Sequence, residues 1–473
     1  LARRGTPTVM RVPPATDLLT LVGAVARFTE RPVLVLVPST GWAERLTARL
    51  TSRGVAVTQE WSEAAAGWPV VVGSRAGVFA PVPPLGAVVV LDAHDESYRE
   101  QRAPRYDAAE VAAERAKRDG APCLLVSPCP SVSQIAGRVV VSTARTAERA
   151  GWSAVNVVDR RGADPRQGLF SEELVRLARR VLAPSRLPAS PTLPALPTLP
   201  ALPTLPGTPG SPGVPGLIVV LNRTGRARVL RCVACGELAR CERCGRPVEE
   251  VANRLSCRAC GAERPVVCPA CGALRHRIIR PGVSRVREEL EALLGTPVAE
   301  VAGPAIPVPV SRVLVGTEAV LHRVRRARAV AFLDFDQHLL APRFVASEQA
   351  LALLARAGRL VGGRDTAGAG AILVQTRLPG HEVLASAVHG DPDALARHER
   401  ALRTELQLPP TTALATLQGP PAAEVVERLA LETIELGDGR WLVRAADHGT
   451  LCDRLQALGP VAGLKITVDP LDV

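Results

Sequence analysis

Eight of the eleven cysteines in this 473-residue chain fall within forty residues as four Cys-x-x-Cys-Gly units. They are Cys232/Cys235, Cys241/Cys244, Cys257/Cys260 and Cys268/Cys271, followed in turn by Gly236, Gly245, Gly261 and Gly272. A Cys-x-x-Cys pair lets two thiolates converge on one tetrahedral ion, and a glycine behind it takes the left-handed turn that brings amide hydrogens toward the sulfurs. One such pair fits a redox site equally well; four in tandem point to two four-thiolate zinc sites. A disulfide framework is the rival, but the chain is long enough to need no staples, and Cys123, Cys129 and Cys452 lie elsewhere.

The gaps between pairs are five, twelve and seven residues. Twelve residues suit a β-hairpin between two knuckles, so the second and third pairs are expected to share one ion. Closing that hairpin brings the first and fourth pairs together at its base. The expected arrangement is nested: Cys232, Cys235, Cys268 and Cys271 around an outer zinc, Cys241, Cys244, Cys257 and Cys260 around an inner one. Four thiolates leave no open position for water, so such sites stabilise and do not react.

At this length two to four domains are expected, and 47% hydrophobic with 22% charged residues is ordinary for a globular protein. No apolar run reaches membrane-spanning length and the first residues are not a basic-plus-apolar export signal, so a reducing cytoplasm is expected. The net charge of +12 favours a polyanionic partner. Arginines 231, 240, 243, 246, 254, 258, 264, 275, 277 and 280 surround the cysteines; the bland alternative is a solvated ribbon surface. With aromatics at 3%, base stacking is a minor resource and any nucleic-acid contact leans on arginine and phosphate.

Short β-branched runs alternate with helix-compatible stretches. Val33–Val37, Val70–Val72, Ala87–Leu91 and Leu124–Ser127 read as buried strands, with helices over Asp17–Phe28 and Ala108–Lys117, and that alternation implies a parallel α/β sheet. Leu217–Leu221, Leu314–Val315, Ala329–Leu333 and Ala371–Gln375 supply a second sheet. Between them, 184–216 repeats Leu-Pro-Thr-Leu-Pro-Ala and reads as an extended spacer, the alternative being a Pro-rich docking peptide. From Thr412 the pattern is strand, helix (Ala422–Leu431), a hairpin turning at Asp438-Gly439, helix (His448–Leu458) and strand (Leu464–Val468).

This order, together with Leu408-Pro409-Pro410, resembles the PriA family of primosomal replication-restart proteins, superfamily 2 helicases. The likeness covers nearly the whole chain. Val71-Val-Gly-Ser-Arg-Ala-Gly-Val-Phe-Ala-Pro81 is similar to the family's V-x-G-[TS]-R-S-A-x-F-x-P, His94-Asp-Glu-Ser-Tyr98 and Pro104-Arg-Tyr106 to its H-D-x-S-Y and P-R-Y, and Leu221-Asn-Arg-Thr-Gly225 to its L-N-R-R-G. The resemblance implies two RecA-like helicase lobes, the second split by a two-zinc module, and a small C-terminal α+β domain. The boundaries it implies are 1–145 for the first lobe, 146–183 for the start of the second, 184–216 for a linker, 217–231 for a lobe-two strand, 232–275 for the zinc module, 276–405 for the rest of lobe two and 406–473 for the C-terminal domain. It also implies DNA, primosome and replicative-helicase-loading proteins and single-stranded DNA-binding protein as partners, and a nucleoid-associated location. The family carries a DNA-end-binding domain and a winged helix ahead of its lobes; this chain opens at Leu1 close to lobe one.

The departures concern the motor. ATP hydrolysis by this fold needs G-x-x-x-x-G-K-[ST], whose lysine neutralises phosphates and whose hydroxyl holds magnesium. The chain has two lysines, Lys117 and Lys465, and neither follows a glycine. Ahead of the Val33 strand, the loop position reads Arg11-Val-Pro-Pro-Ala-Thr-Asp17. The family's D-E-x-H is Leu91-Asp-Ala-His94, its G-S-A-T-P is Val126-Ser-Pro-Cys-Pro130, Gly316-Thr-Glu318 lacks the following lysine-glycine and has Leu321-His322, and the arginine-finger motif is reduced to Arg359-Leu-Val-Gly-Gly-Arg-Asp365. The expectation is a restart protein that does not hydrolyse ATP, with no catalytic residues assigned. An active 3′–5′ helicase and a zinc-ribbon adaptor are the alternatives.

Three smaller groups complete the reading. His94 with Asp92 and Asp95 is expected to be a relic of the helicase motif, not a metal cluster. Asp334 and Asp336 are expected on one face of a strand, in the structural or lobe-contact role that the resemblance implies, with cation binding as the alternative. Cys123, Cys129 and Cys452 are expected to be inert packing residues.

Overall fold

The computed structural model describes residues 7–102, 104–163, 168–183, 214–221, 230–243, 245–251, 254–257, 260–278, 283–301, 308–366, 368–437 and 439–471. Cys244, residues 184–213 of the proline-rich segment, residues 222–225 of Leu-Asn-Arg-Thr-Gly and Asp438 of the expected hairpin turn lie outside that set. The chain forms two compact units, one of Leu1–Arg149, Arg343–Glu348 and Asp391–Val473, the other of Ala150–Pro342 and Gln349–Gly390.

The first unit contains a seven-stranded sheet of β1 (Thr8–Arg11), β2 (Val33–Leu36), β3 (Val57–Thr58), β4 (Val70–Gly73), β5 (Ala87–Leu91), β6 (Cys123–Ser127) and β7 (Val139–Ser142). Their order is β3-β4-β2-β5-β6-β1-β7, parallel throughout. Strands β2 and β5 are buried along their whole length, as central strands covered on both faces must be. Their residues divide by parity. Leu34, Leu36, Val88 and Val90 pack with the Ala108–Arg118 helix, whose buried alanines let it lie close to the sheet. Val33, Val35, Val89 and Leu91 pack with the Leu18–Phe28 helix on the other face. Each such side chain contributes roughly 1.5–3 kcal/mol.

In the second unit β8 (Ala154–Asp159) and β9 (Leu217–Leu221) come before the cysteine module. Its short strands are β10 (Leu230–Cys232), β11 (Glu249–Val251), β12 (Arg254–Ser256), β13 (Glu263–Pro265) and β14 (His276–Ile278). Then follow β15 (Val298–Glu300), β16 (Val313–Thr317), β17 (Ala329–Phe332) and β18 (Ala371–Thr376). The main sheet runs β15-β16-β9-β17-β18-β8, again all parallel, so the module interrupts a parallel sheet.

Asp334 and Asp336 do not share a strand face. Strand β17 ends at Phe332, and Asp336 opens the one-turn helix Asp336–Leu339. The buried Asp336 carboxylate accepts hydrogen bonds from Thr376 Oγ1 and from the Arg377 amide at 3.0 Å. Satisfying those donors at the end of β18 overrides strand alternation.

The C-terminal part of the first unit adds an antiparallel sheet of β19 (Ala413–Gln418), β20 (Glu432–Gly437), β21 (Arg440–Ala445) and β22 (Lys465–Val468), in the order β20-β21-β19-β22. The helices Ala422–Leu429 and His448–Ala457 cover it, with Val425 and Leu451 in its core. The first helix stops two residues before the expected Leu431 because Ala430 turns left-handed. Cys452 is exposed, contrary to expectation; Leu451 beside it makes the core contact. Cys123 and Cys129 are buried, and burial pushes the Cys123 thiol up to about 12, which leaves it unreactive.

The architecture is thus α/β: two parallel-sheet lobes, the second interrupted by a cysteine-rich module, and a small C-terminal α+β domain. No helix among the described residues is long and apolar enough to cross a membrane.

Candidate metal centre

In all four Cys-x-x-Cys-Gly units the first cysteine and the glycine share the same backbone bonding. The glycine amide donates to the carbonyl of the first cysteine, at 3.0 Å from Gly236 to Cys232, 2.8 Å from Gly245 to Cys241, 2.9 Å from Gly261 to Cys257 and 2.9 Å from Gly272 to Cys268. The first cysteine's own amide donates to the carbonyl five residues on. All four glycines have φ between +67° and +77°, a conformation that a side chain opposes.

Antiparallel pairing then assembles the knuckles. Strands β11 and β12 form the hairpin between the second and third pairs, and β10 and β14 join the ends of the module, with Cys232 opposite His276. This brings Cys232, Cys235, Cys268 and Cys271 together, and separately Cys241, Cys257 and Cys260, the sulfurs of each group lying within 4.8 Å of one another. The separations are 3.5 Å for Cys232–Cys271, 3.6 Å for Cys235–Cys268 and 3.5 Å for Cys241–Cys260. A tetrahedron with zinc–sulfur bonds of about 2.3 Å has edges of about 3.8 Å, so both groups are the right size for that ion and far too open for disulfides. Cys244 lies outside the described residues; Gly245 after it has the knuckle conformation.

The outer group is electrostatically prepared for a cation. Burial opposes ionisation of Cys232, but the amides of Cys235 and Ala234 and the thiols of Cys271 and Cys235 together outweigh it and bring the thiol down to about 7. Cys235 is pushed up to about 12 by burial, reinforced by the neighbouring thiols. Without a cation Cys232 ionises first while Cys235 and Cys268 hold their protons more tightly; a divalent ion displaces those protons.

The positions that resemble motor motifs are equally well defined. From β1 the chain passes through Val12-Pro13-Pro14-Ala15-Thr16-Asp17 into the Leu18–Phe28 helix, the place of a phosphate loop. The Thr16 amide closes a turn onto the Pro13 carbonyl at 3.0 Å, and the two prolines have no amide to offer a phosphate. Asp17 caps the helix, accepting from Leu19 N at 3.2 Å and Thr20 Oγ1 at 2.6 Å. Burial acts to raise its pKa, but those bonds and the charges of Arg49 and Arg53 hold it below the usual carboxylate value. A carboxylate therefore sits at the positive end of the helix, where a phosphate would bind. Arg11, at the end of β1, is buried and paired with Glu148 at 2.7 Å and with Asp393.

Asp92, after β5, is buried with φ +49°. His94 Nδ1 lies 2.8 Å from Ser127 Oγ at the end of β6, which in turn accepts from the Cys129 amide at 3.1 Å. These side chains are thus hydrogen-bonded into the surrounding structure, and among the described residues no three-ligand group forms around His94. In the second unit Arg359 lies in the Ala346–Val361 helix, while Arg364 donates to the carbonyls of Val388 and, at 3.3 Å, Ser153. Asp17 stands ahead of the helix as its cap and not, as expected, as its first residue; the tie of Arg364 to two distant carbonyls has no local signal in the sequence.

No family model matches the chain. The "Probable replication restart protein PriA" of Mycobacterium tuberculosis (strain CDC 1551 / Oshkosh) is 31% identical over 472 residues, covering 97% of this chain and 64% of that protein. The "Replication restart protein PriA" of Treponema pallidum (strain Nichols) is 28% identical over 370 residues, 72% of this chain and 50% of its own length. That of Bacillus subtilis (strain 168) is 25% identical over 374 residues, 73% of this chain and 42% of its own. The chain thus spans about half the length of these relatives. Similarity running through both lobes, with a thiol module inside a split parallel sheet, identifies this chain as a member of the PriA family of replication restart proteins.

Proposed function

We propose that this protein serves replication restart as a DNA-binding scaffold that promotes primosome assembly at stalled or abandoned forks without hydrolysing ATP. The observation that carries the last part is the closed loop after β1, where two prolines remove amide donors and Asp17 places a negative charge at the helix terminus. A phosphate finds that helix terminus already taken by Asp17, whose charge Arg49 and Arg53 offset, and finds no lysine to hold it. The two thiol groups, each holding zinc, keep the ribbon folded, and replicative-helicase-loading proteins and single-stranded DNA-binding protein are its partners. Between positions 231 and 277 nine arginines face five glutamates, and Arg243, Arg254 and Arg275 are exposed, which suits phosphate contacts.

A titration against forked DNA across a salt series tests the binding. Engagement of about six phosphates lowers affinity by about three orders of magnitude between 50 and 200 mM salt. Undetectable binding at low salt excludes the scaffold. For the motor, equilibrium binding of a labelled ATP analogue with magnesium is expected to give no saturable signal up to millimolar concentration. Saturable binding with DNA-stimulated turnover establishes the active helicase instead.

A further inference from the structure

Arg377 directly follows β18 at the carboxyl end of the six-stranded sheet. Its backbone is fixed by the Asp336 carboxylate, both oxygens of which accept from its amide at 3.0 Å. Its guanidinium reaches the outer knuckle: a methyl group built on Gly236 would stand 3.1 Å from Nη1 and 3.4 Å from Nη2. The residue is half-buried. Asp159 is level with Thr376 in the sheet register; burial raises the pKa of Asp334 and Asp336, and the Arg377 charge opposes that rise. Asp159 is largely met by Arg161, at 2.6 Å, whereas Arg377 is the cation common to Asp334 and Asp336.

The Asp336 carboxylate therefore holds the Arg377 backbone while the guanidinium lies against the Cys232–Gly236 knuckle. A zinc ion bound by four thiolates leaves that knuckle beside a net charge of −2. Arg377 would then be the cation at the junction of that knuckle and the Asp336 end of the sheet.

We propose that Arg377 is a positioning residue that straps the outer four-thiolate centre to the end of the parallel sheet, neutralising the metal-loaded knuckle and Asp334 and Asp336 at once. The inference rests on the reading that both thiol groups hold zinc. It makes metal retention at the outer site, and not at the inner one, depend on a residue that is not a ligand. It also gives the module a defined seat on its own lobe.

The test is zinc release from the full chain into a chromogenic chelator. The outer group contains the exposed Cys271 and is expected to empty first, a phase identified by its absence in Cys271→Ser. Arg377→Gln is expected to speed that phase about tenfold, as loss of one charge near a partly screened dianion requires, with the inner phase unchanged. Arg377→Lys, which keeps the charge, is expected to restore most of the slow release; a purely steric role would not respond to charge in this way. An unchanged outer phase in Arg377→Gln, equal acceleration of both phases, or no recovery with lysine each overturns the proposal while leaving the zinc reading intact. Wild-type protein purified without metal overturns both.

Discussion

Replacing Cys257 by serine is expected to reduce bound zinc from about two ions per chain to about one and to unfold the ribbon while both parallel sheets remain folded. The ribbon's apolar core is small, comprising Leu230, Ala239, Val248, Leu255 and Val266 with Cys241 and Cys257 themselves. A core of that size cannot offset the conformational entropy of ordering so many residues. On the zinc reading the remainder comes from the metal: structural zinc contributes roughly 10–16 kcal/mol of apparent binding free energy in comparable small modules. Cys257 is buried and serves both the inner thiol group and the apolar cluster, so its loss removes a ligand and a packing group together. Metal content by atomic emission and amide hydrogen exchange measure the two effects. Protection is expected to vanish in β11, β12 and β13 and to persist in β2, β5 and β9. Retention of two zinc ions, or unchanged protection in those three short strands, contradicts the assignment. Because DNA binding is proposed to use the same arginine-rich ribbon, the variant is also expected to lose most of the salt-dependent affinity.

What the sequence made legible follows from how local each signal is. Buried runs such as Val33–Leu36 and Ala87–Leu91 are fixed by composition over four or five residues, and both are central strands. The knuckles are equally local: spacing and the following glycine specify the turn, and the twelve-residue gap specifies the β11–β12 pairing. Strands β7 and β8 gave weaker signals. Val139–Ser142 is exposed along its length at the sheet edge, and Ala154–Asp159 carries polar residues among its valines. The failures came from long-range polar partners. Asp334 and Asp336 resembled alternating strand residues because nothing nearby announces that Asp336 must satisfy Thr376 and Arg377 forty residues on. Arg377 could not be singled out at all, since the knuckle it touches lies in a separate stretch of chain. Arg403 resembles a surface helix residue paired with Glu399 one turn earlier; its burial depends on Phe344 and Glu348, far back in the sequence.

That residue carries the second large expectation: Arg403→Leu is expected to destabilise the first unit by about 3–5 kcal/mol, the usual cost of stripping a buried charge cluster of one partner. Arg403 is 1% exposed. Its Nη2 lies 2.7 Å from the Glu348 carboxylate and 3.6 Å from that of Glu399, and the guanidinium carbon lies 5.1 Å from the centre of the Phe344 ring. Burial and the proximity of Glu348 already push the Glu399 carboxyl up, with Arg403 opposing them. Without the guanidinium two acids share a closed space, and one must take up a proton or the Pro392–Glu405 helix must move away. Glu348 also accepts the Val132 amide at 2.6 Å, so that movement would disturb the turn after the Val126–Pro130 remnant. Denaturant unfolding followed by hydrogen exchange in β2 and β5 reads the loss directly. The triple variant Arg403→Leu, Glu348→Gln, Glu399→Leu separates charge from volume: it removes every ionised group yet keeps an acceptor for Val132, and is expected to recover most of the lost stability. A single variant costing less than about 1 kcal/mol would place the cluster in the range of exposed ion pairs. Failure of the triple variant to recover would instead assign the cost to lost packing against Phe344. Only the pattern of large loss and recovery identifies Arg403 as the counter-ion that lets Glu399 be buried beside the half-buried Glu348 where the C-terminal domain begins.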